Sequence, residues 1–293
     1  MKNSPTVSIL VPTYNRADTL DRTLRSILDQ TFRDFELIVV DDGSTDETRF
    51  LIDSFQDARL RYIYQENSGV AGARAKAMSA CQGSYWAFCD SDDLWVPEKL
   101  EKQLAAFAQD TALVFSDAYA ASEMFPQPKV RFRCYELSTP FRGKVYEQLI
   151  RRNFIVTSSV VVRRPFLEDF VVYPVTNFDD WQTWLWVARR NGTFEYVDQP
   201  LVYYYEHSEG ISKQKISATK CRIIIRKHEL DLIKRKQAPA IKRIELLRLL
   251  VWKDKLLLGF LKCMPPAVMR RLITFYYKSF IMRKVALKLG LGS

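Results

Sequence analysis

Three carboxylates, Asp90, Asp92 and Asp93, fall within four positions in "CDSDDLW", directly after the apolar run "YWAF". At neutral pH they repel one another, most strongly where a strand end is shielded from water, so a positive partner is expected beside them. Histidine is scarce, with His207 and His228 as the two present, so a hard cation would have to be held by oxygen. The plain alternative is that Asp90 or Asp92 caps a helix starting near Pro97, which would explain one carboxylate and not three. A second acidic pair, Asp179 and Asp180, opens "NFDDWQTWLWVARRNG", a helix with acidic residues at its start and Gly192 at its end. Polar loops with turn chemistry also occur earlier, at "VPTYN", "VVDDGSTDET" and "NSGVAGAR".

The elements that must position these groups alternate. "VSILVP" and "ELIVVDD" read as strands around the amphipathic helix "DTLDRTLRSILDQ", which puts Leu20, Leu24, Ile27 and Leu28 on one face. A helix over 46–55, a strand "LRYIYQ", a helix over 70–81 and a strand "YWAFCD" follow. This alternation predicts a parallel, three-layer α/β sheet, in which ligands bind outside the carboxyl ends of the strands. Every polar loop named above lies at such an end, so they should converge. From 110 to 177 the pattern weakens to two strand-like runs, "ALVFSDAYA" and "SSVVVRR", and "EYVDQPLVYYYEH" completes the body as a strand.

The 293 residues are 47% hydrophobic and 27% charged, ordinary globular material. Five scattered cysteines without CxxC spacing argue against a disulfide framework or a zinc site. The N-terminal stretch has too short an apolar run for a signal peptide, which predicts a cytoplasmic protein. Net charge is +10, but residues 213–293 carry 21 Lys/Arg against 4 Asp/Glu, leaving −7 on the first 212. An acidic body, 1–212, is thus expected to carry a basic, helical C-terminal region, 213–293, drawn to an anionic surface. A helix over 268–289 would gather Arg270, Arg271, Lys278, Lys284 and Lys288 within an arc of about 140°, with Arg283 outside it. Leu272, Phe275, Tyr276, Phe280, Met282 and Leu287 lie mostly opposite, a composition suited to the membrane interface and favouring lipid over nucleic acid. Packing of that helix on the body or a partner is the alternative.

In order and spacing, "VPTYN" (11–15), "VVDDGSTDET" (39–48), "NSGVAGAR" (67–74) and "DSDD" (90–93) together resemble the inverting family 2 glycosyltransferases with a GT-A fold, over roughly residues 5–212. The resemblance implies a Rossmann-like, mostly parallel sheet flanked by helices and a nucleotide-diphosphate-sugar donor, a UDP-sugar first. Tyr14 would lie against the nucleobase, with Pro12 and Thr13 shaping the loop and Asp42, and less directly Asp41, accepting from the base; a buried core Tyr14 and a turn-forming Asp42 are the alternatives. Arg74 would approach the donor beside the acidic loop, or form a surface ion pair. Asp90 and Ser91 would serve the ribose side, and Asp92, with Asp90 and His207, a Mg²⁺ or Mn²⁺ ion bridging the diphosphate. Asp93 would assist, or cap the next helix. Asp180 would act as general base on the acceptor hydroxyl, oriented by Asp179, or one of the two would be an N-cap. Three positions depart from the family pattern: Ala75 where Asn is usual, Asp179 where Glu is commoner, and Tyr205 where Arg is frequent. The implied enzyme adds a sugar to a glycan or lipid-linked acceptor in cell-surface polysaccharide synthesis, as a peripheral protein at the inner membrane face. The alternative is a catalytically silent nucleotide-sugar-binding or scaffold protein.

Overall fold

A computed structural model of the chain describes residues 4–122, 127–136, 140–171, 178–206, 215–239 and 244–263. The order is β1 (Val7–Thr13), α1 (Ala17–Leu28), β2 (Phe35–Asp41), α2 (Thr48–Asp53), β3 (Leu60–Tyr64), α3 (Gly69–Ala80), β4 (Tyr85–Phe88), β5 (Leu94–Trp95), α4 (Lys99–Ala105), β6 (Thr111–Ala121), β7 (Val130–Arg133), α5 (Tyr146–Arg151), β8 (Val160–Arg163), α6 (Asp179–Arg189), β9 (Thr193–Tyr205), α7 (Lys215–Lys234) and α8 (Ile244–Cys263). Neighbouring strands run β3-β2-β1-β4-β8-β6-β9-β5, with β7 added beside β6. The β3-β2-β1-β4 half is wholly parallel, as the alternation of strands and helices predicts. Beyond β4 the sheet is mixed: β8 runs antiparallel to both neighbours, while β6 and β9 are parallel.

Side-chain alternation explains the layers. On β1, Val7, Ile9 and Val11 join one core with Leu20, Leu24 and Ile27 of α1 and Leu100 of α4, whereas Leu10 joins the opposite core. That second core takes Ala73 and Ala77 from α3, Leu149 from α5, Trp181 and Trp184 from α6, and Ile225, Leu230, Leu247 and Val251 from α7 and α8. Both faces of the sheet are therefore covered, which is why its strands read as continuous apolar runs. Of the predicted face of α1, Leu28 alone is half-buried while the other three are fully enclosed.

The C-terminal helices are fastened to the body by polar contacts as well. Glu229 on α7 accepts from Tyr146 Oη at 2.7 Å and from Arg189 Nη1 at 3.1 Å. Arg226 donates to the carbonyls of Ile150 and Arg151 and pairs with Asp254 of α8. The basic helix expected over 268–289 lies outside the described residues.

One local expectation is corrected. Neither Asp90 nor Asp92 caps the helix after Pro97: α4 starts at Lys99 behind Glu98, without a side-chain cap bond. Between the acidic loop and α4, β5 pairs Leu94 with Tyr203 and Trp95 with Val202. That pairing carries the chain away from the loop before the helix begins.

Candidate active site

The carboxyl ends of β1 and β2 carry two loops that are stitched together. Asn15, at φ +49°, donates its N–H to Ser44 Oγ at 2.9 Å and accepts from Thr45 N–H at 2.8 Å. Asp46 accepts from Ala17 N–H at 3.2 Å and Thr48 N–H at 3.0 Å. Gly43 turns the second loop at φ +82°, a conformation that favours glycine. Asp41 is buried and holds this turn, accepting from Ser44 N–H at 2.9 Å and Tyr62 Oη at 2.8 Å. Asp42, also buried, faces the start of α3 and accepts from Gln65 Nε2 at 2.6 Å, Ser68 N–H at 2.9 Å and Gly69 N–H at 2.8 Å. A carboxylate suits a helix start, where amides are unpaired and the dipole is positive.

Tyr14 is 47% exposed, so it is a projecting ring and not a core side chain. Pro12 pairs in register with Val40, and Thr13 is buried with an Oγ1 that has no partner among the described residues. A Thr hydroxyl left in that state at a strand end is ready to bond a ligand.

Arg74 is the centre of the site. It is 5% exposed, which rules out the surface ion pair entertained from sequence. From α3 its guanidinium donates Nη2 to Asp90 at 2.8 Å and Nη1 to Asp179 of α6. Burial alone would lower its pKa, but Asp179, Asp90 and Asp180 outweigh burial and hold the group protonated. One rigid fork thus joins the two acidic motifs.

Asp179 and Asp180 open α6, yet neither is its N-cap: that position is Phe178, in the left-handed region at φ +73°. So bulky a residue there is uncommon and costs about 1–3 kcal/mol. What holds the helix is its aromatic face. Trp181 Nε1 donates to the Leu149 carbonyl at 2.7 Å, and Trp184 packs edge-on against Phe88 of β4 at 5.2 Å. Phe88 lies two residues before Asp90, so this packing brings α6 to the acidic loop. Asp180 Oδ2 accepts from Asn153 Nδ2 at 2.7 Å and Thr157 Oγ1 at 3.2 Å. Its pKa is raised by burial first and the Asp179 charge second, against the pull of Arg74.

The acidic loop divides its labour. Burial pushes Asp90 up to about 6 despite Arg74, with Asp92, Asp180 and Asp179 adding to the rise. Asp92 approaches Arg16 Nε at 3.8 Å, and the Ser91 carbonyl accepts from Thr19 Oγ1 at 3.2 Å. Asp93, entertained as a helper or a cap, does not cap α4: it is fully buried, accepting from Ser158 Oγ at 2.5 Å and Tyr205 N–H at 2.9 Å. Ser158, in the turn Thr157–Ser159 before β8, also accepts Asp90 N–H at 2.9 Å. Asp93 therefore anchors the loop against β9 through a neighbour that grips Asp90. Burial, with Asp92 and Asp90 adding to it, pushes its pKa well above the carboxylate range. Tyr205, at the position that departs from the family pattern, reaches the loop with its backbone here. His207 lies outside the described residues.

Among the described residues no three His, Cys, Asp or Glu side chains gather to hold a metal ion. Asp92 with Asp90 still fits a Mg²⁺-type cation, which takes one or two carboxylates and completes its shell with phosphates and water. Asn153, Thr157 and Ser158 belong to the site, but sequence reading passed over them. They sit in the aperiodic 110–177 stretch, where three neutral side chains carry no spacing signal.

A sheet of this order, with its strand-end loops and acidic centre, defines a GT-A-type fold. It superimposes on the crystal structure of S. aureus TarS (residues 1–349) with a TM-score of 0.64 and 18% identity, covering 85% of this chain and 71% of that one. The mannosyltransferase PcManGT of Pyrobaculum calidifontis, in complex with GDP-Man and Mn²⁺, gives a TM-score of 0.60 at 17% identity, covering 95% of this chain and 81% of that one. The glycosyl transferase family 2 model matches residues 8–170. The chain is 33% identical over 220 residues to TuaG, a glycosyltransferase of Bacillus subtilis (strain 168) named for teichuronic acid biosynthesis, covering 74% of this chain and 85% of TuaG. It is 32% identical over 188 residues, 63% of this chain and 70% of the relative, to WfgD of Escherichia coli, named as a UDP-Glc:α-D-GlcNAc-diphosphoundecaprenol β-1,3-glucosyltransferase. The chain belongs to glycosyl transferase family 2 and is a glycosyltransferase.

Proposed function

We propose that residues 1–212 form an inverting, metal-dependent hexosyltransferase domain. It moves a sugar from a nucleoside-diphosphate donor, a UDP-sugar first, to a lipid-linked acceptor of cell-surface polysaccharide synthesis. The observation that carries this reading is Arg74: one buried guanidinium grips both Asp90 of the acidic loop and Asp179, next to Asp180. The named substrates of WfgD support the donor and acceptor classes. No helix among the described residues is long and apolar enough to cross a membrane. Work on a lipid-linked acceptor then fits peripheral attachment at the cytoplasmic face through the basic region 213–293.

In this mechanism Tyr14 offers its exposed ring to the nucleobase, beside the unpaired Thr13 hydroxyl and the loop held by Asp41 and Asp42. Asp90 and Ser91 face the ribose. A Mg²⁺ or Mn²⁺ ion at Asp92, with Asp90 and His207, would when bound stabilise the departing nucleoside diphosphate. Asp180 takes the proton of the acceptor hydroxyl as its oxygen bonds the anomeric carbon and the sugar–phosphate bond breaks. Asn153 and Thr157 both hold Oδ2, which fixes the orientation of the carboxylate. The raised pKa of Asp180 makes it a better base than an open carboxylate.

The test is nucleoside diphosphate release from a panel of UDP-, GDP- and dTDP-sugars, with Asp180→Asn beside the wild type. The variant should keep donor binding and lose turnover by about 10²–10⁴-fold. No turnover by the wild type with any donor and acceptor would favour the silent binding protein, and a near-normal D180N rate would remove Asp180 as base.

A further inference from the structure

The helix α8 has two unlike faces. Leu247, Val251 and Asp254 are buried, Asp254 turned inward to Arg226 and to Arg222 at 3.5 Å. On the opposite side Leu249, Trp252 and Leu256 stand 53%, 58% and 55% exposed, with Leu257 beside them. At 100° per residue Leu249, Trp252 and Leu256 share an arc of about 60°, centred roughly half a revolution from the buried face. Exposed bases border this stripe, Arg248 and Lys255 along one edge and Lys253 along the other. Glu245, the one exposed acid among the described side chains of the helix, falls on the same arc but at its first turn, so it ends the stripe and does not interrupt it. An apolar stripe with a central Trp between rows of Lys and Arg matches a helix lying in the plane of a membrane interface.

Charge discriminates among occupants. A second copy placed on this face about a two-fold axis would set basic edges against basic edges. Residues 264–293 hold six Lys/Arg and no Asp/Glu, so they would meet the same repulsion. An anionic lipid surface matches both the stripe and its borders, since Lys and Arg near it are drawn to the lipid phosphates. We propose that the outer face of α8, centred on Trp252, inserts into the interfacial layer of an anionic bilayer. This rests on the peripheral-membrane reading and identifies the residues that make the contact.

The full chain is tested with phosphatidylglycerol-containing vesicles against pure phosphatidylcholine, by flotation and by quenching of Trp fluorescence with brominated acyl chains. Wild type should float with the anionic vesicles, and Leu249→Ser/Trp252→Ser/Leu256→Ser should lose about tenfold or more in partitioning, as expected when an interfacial helix loses its apolar stripe. Trp252→Phe, which keeps the fold and the stripe, should remove the bromine-dependent quenching. Equal partitioning by the triple variant, or quenching unchanged in W252F, would overturn the proposal. So would a halving of the particle mass on triple substitution without lipid, which would make this face a contact between copies. Donor turnover on a water-soluble acceptor is measured separately, so loss of the transferase reading would leave the vesicle result standing.

Discussion

Replacing Arg74 with Met keeps much of the side-chain volume and removes the charge. Its two ion pairs are not equivalent: the Asp179 side chain is 4% exposed and the Asp90 side chain 32%. Asp90 can turn to water, and its share is discounted toward that of a surface pair, about 0–1 kcal/mol. Asp179 cannot, and a buried charge left without its partner costs about 3–5 kcal/mol. That is a large part of the 5–15 kcal/mol typical of a folded domain and lowers the thermal midpoint by about 6–20 °C. Thermal and urea unfolding followed by circular dichroism measure it. The double variant Arg74→Met/Asp179→Asn removes the stranded charge and should recover about 2 kcal/mol or more, a positive coupling between neighbours. A loss below about 1 kcal/mol for R74M, or no recovery in the double variant, would mean that the Asp179 charge is not buried as described.

Asn153→Ala and Thr157→Ala should each slow transfer by about 10–100-fold with donor affinity little changed, since their observed partner is Asp180 and they set its orientation; stopped-flow product release against donor titration separates the two. Asp92→Ala should abolish the divalent-cation dependence of turnover, and a variant that still responds to added Mg²⁺ or Mn²⁺ would remove Asp92 as a ligand. Lys99 is fully enclosed, lying over Trp95 at 3.9 Å and donating to Gln103 at 2.6 Å, and burial lowers its pKa to about 7 against a small opposing effect of Cys89. The unfolded chain therefore binds the extra proton between about pH 7 and 10.5, and stability rises with pH across that window, by on the order of 5 kcal/mol from this group. Lys99→Met should flatten the rise in urea unfolding measured at several pH values, and identical slopes for both proteins would contradict it.

The parts of the fold that were legible in sequence are those governed by period. The face of α1 and the strands flanking it follow from apolar spacing, and α6 starts at Asp179 where its acidic pair sits. The reason for that start was not legible, because Asp there reads as a cap while its carboxylate is drawn off to Arg74. Likewise Asp93 reads like its neighbours Asp90 and Asp92, and only the pairing of β5 with β9 turns it inward to Tyr205. Lys99 shows the same limit. One turn before Gln103, it shares the buried side of α4, but a lysine at a helix start reads by type as solvent-exposed.

The connections through α3 explain why one residue carries so much of the site. Asp42, on the side proposed for the nucleotide, binds the first amides of α3; Arg74, a turn further along, binds Asp90 and Asp179; and Asp179 adjoins Asp180 on α6. Helix α3 is therefore a rigid strut between the loop proposed for the nucleotide and the carboxylate proposed as base. Burial raises the cost of every charge along it, and among the described residues Arg74 is the buried cation set against Asp90, Asp179 and Asp180. Arg16, the basic side chain near Asp92, is part-exposed at 3.8 Å and screened by water. Among the described residues the carboxylates of the acidic loop and of the start of α6 outnumber the basic side chains seen against them, Arg74 and Arg16. That excess is what a divalent cation would neutralise, and it separates the two substitutions: Asp92→Ala should remove cation dependence, whereas Arg74→Met deepens the repulsion and strikes stability and transfer together.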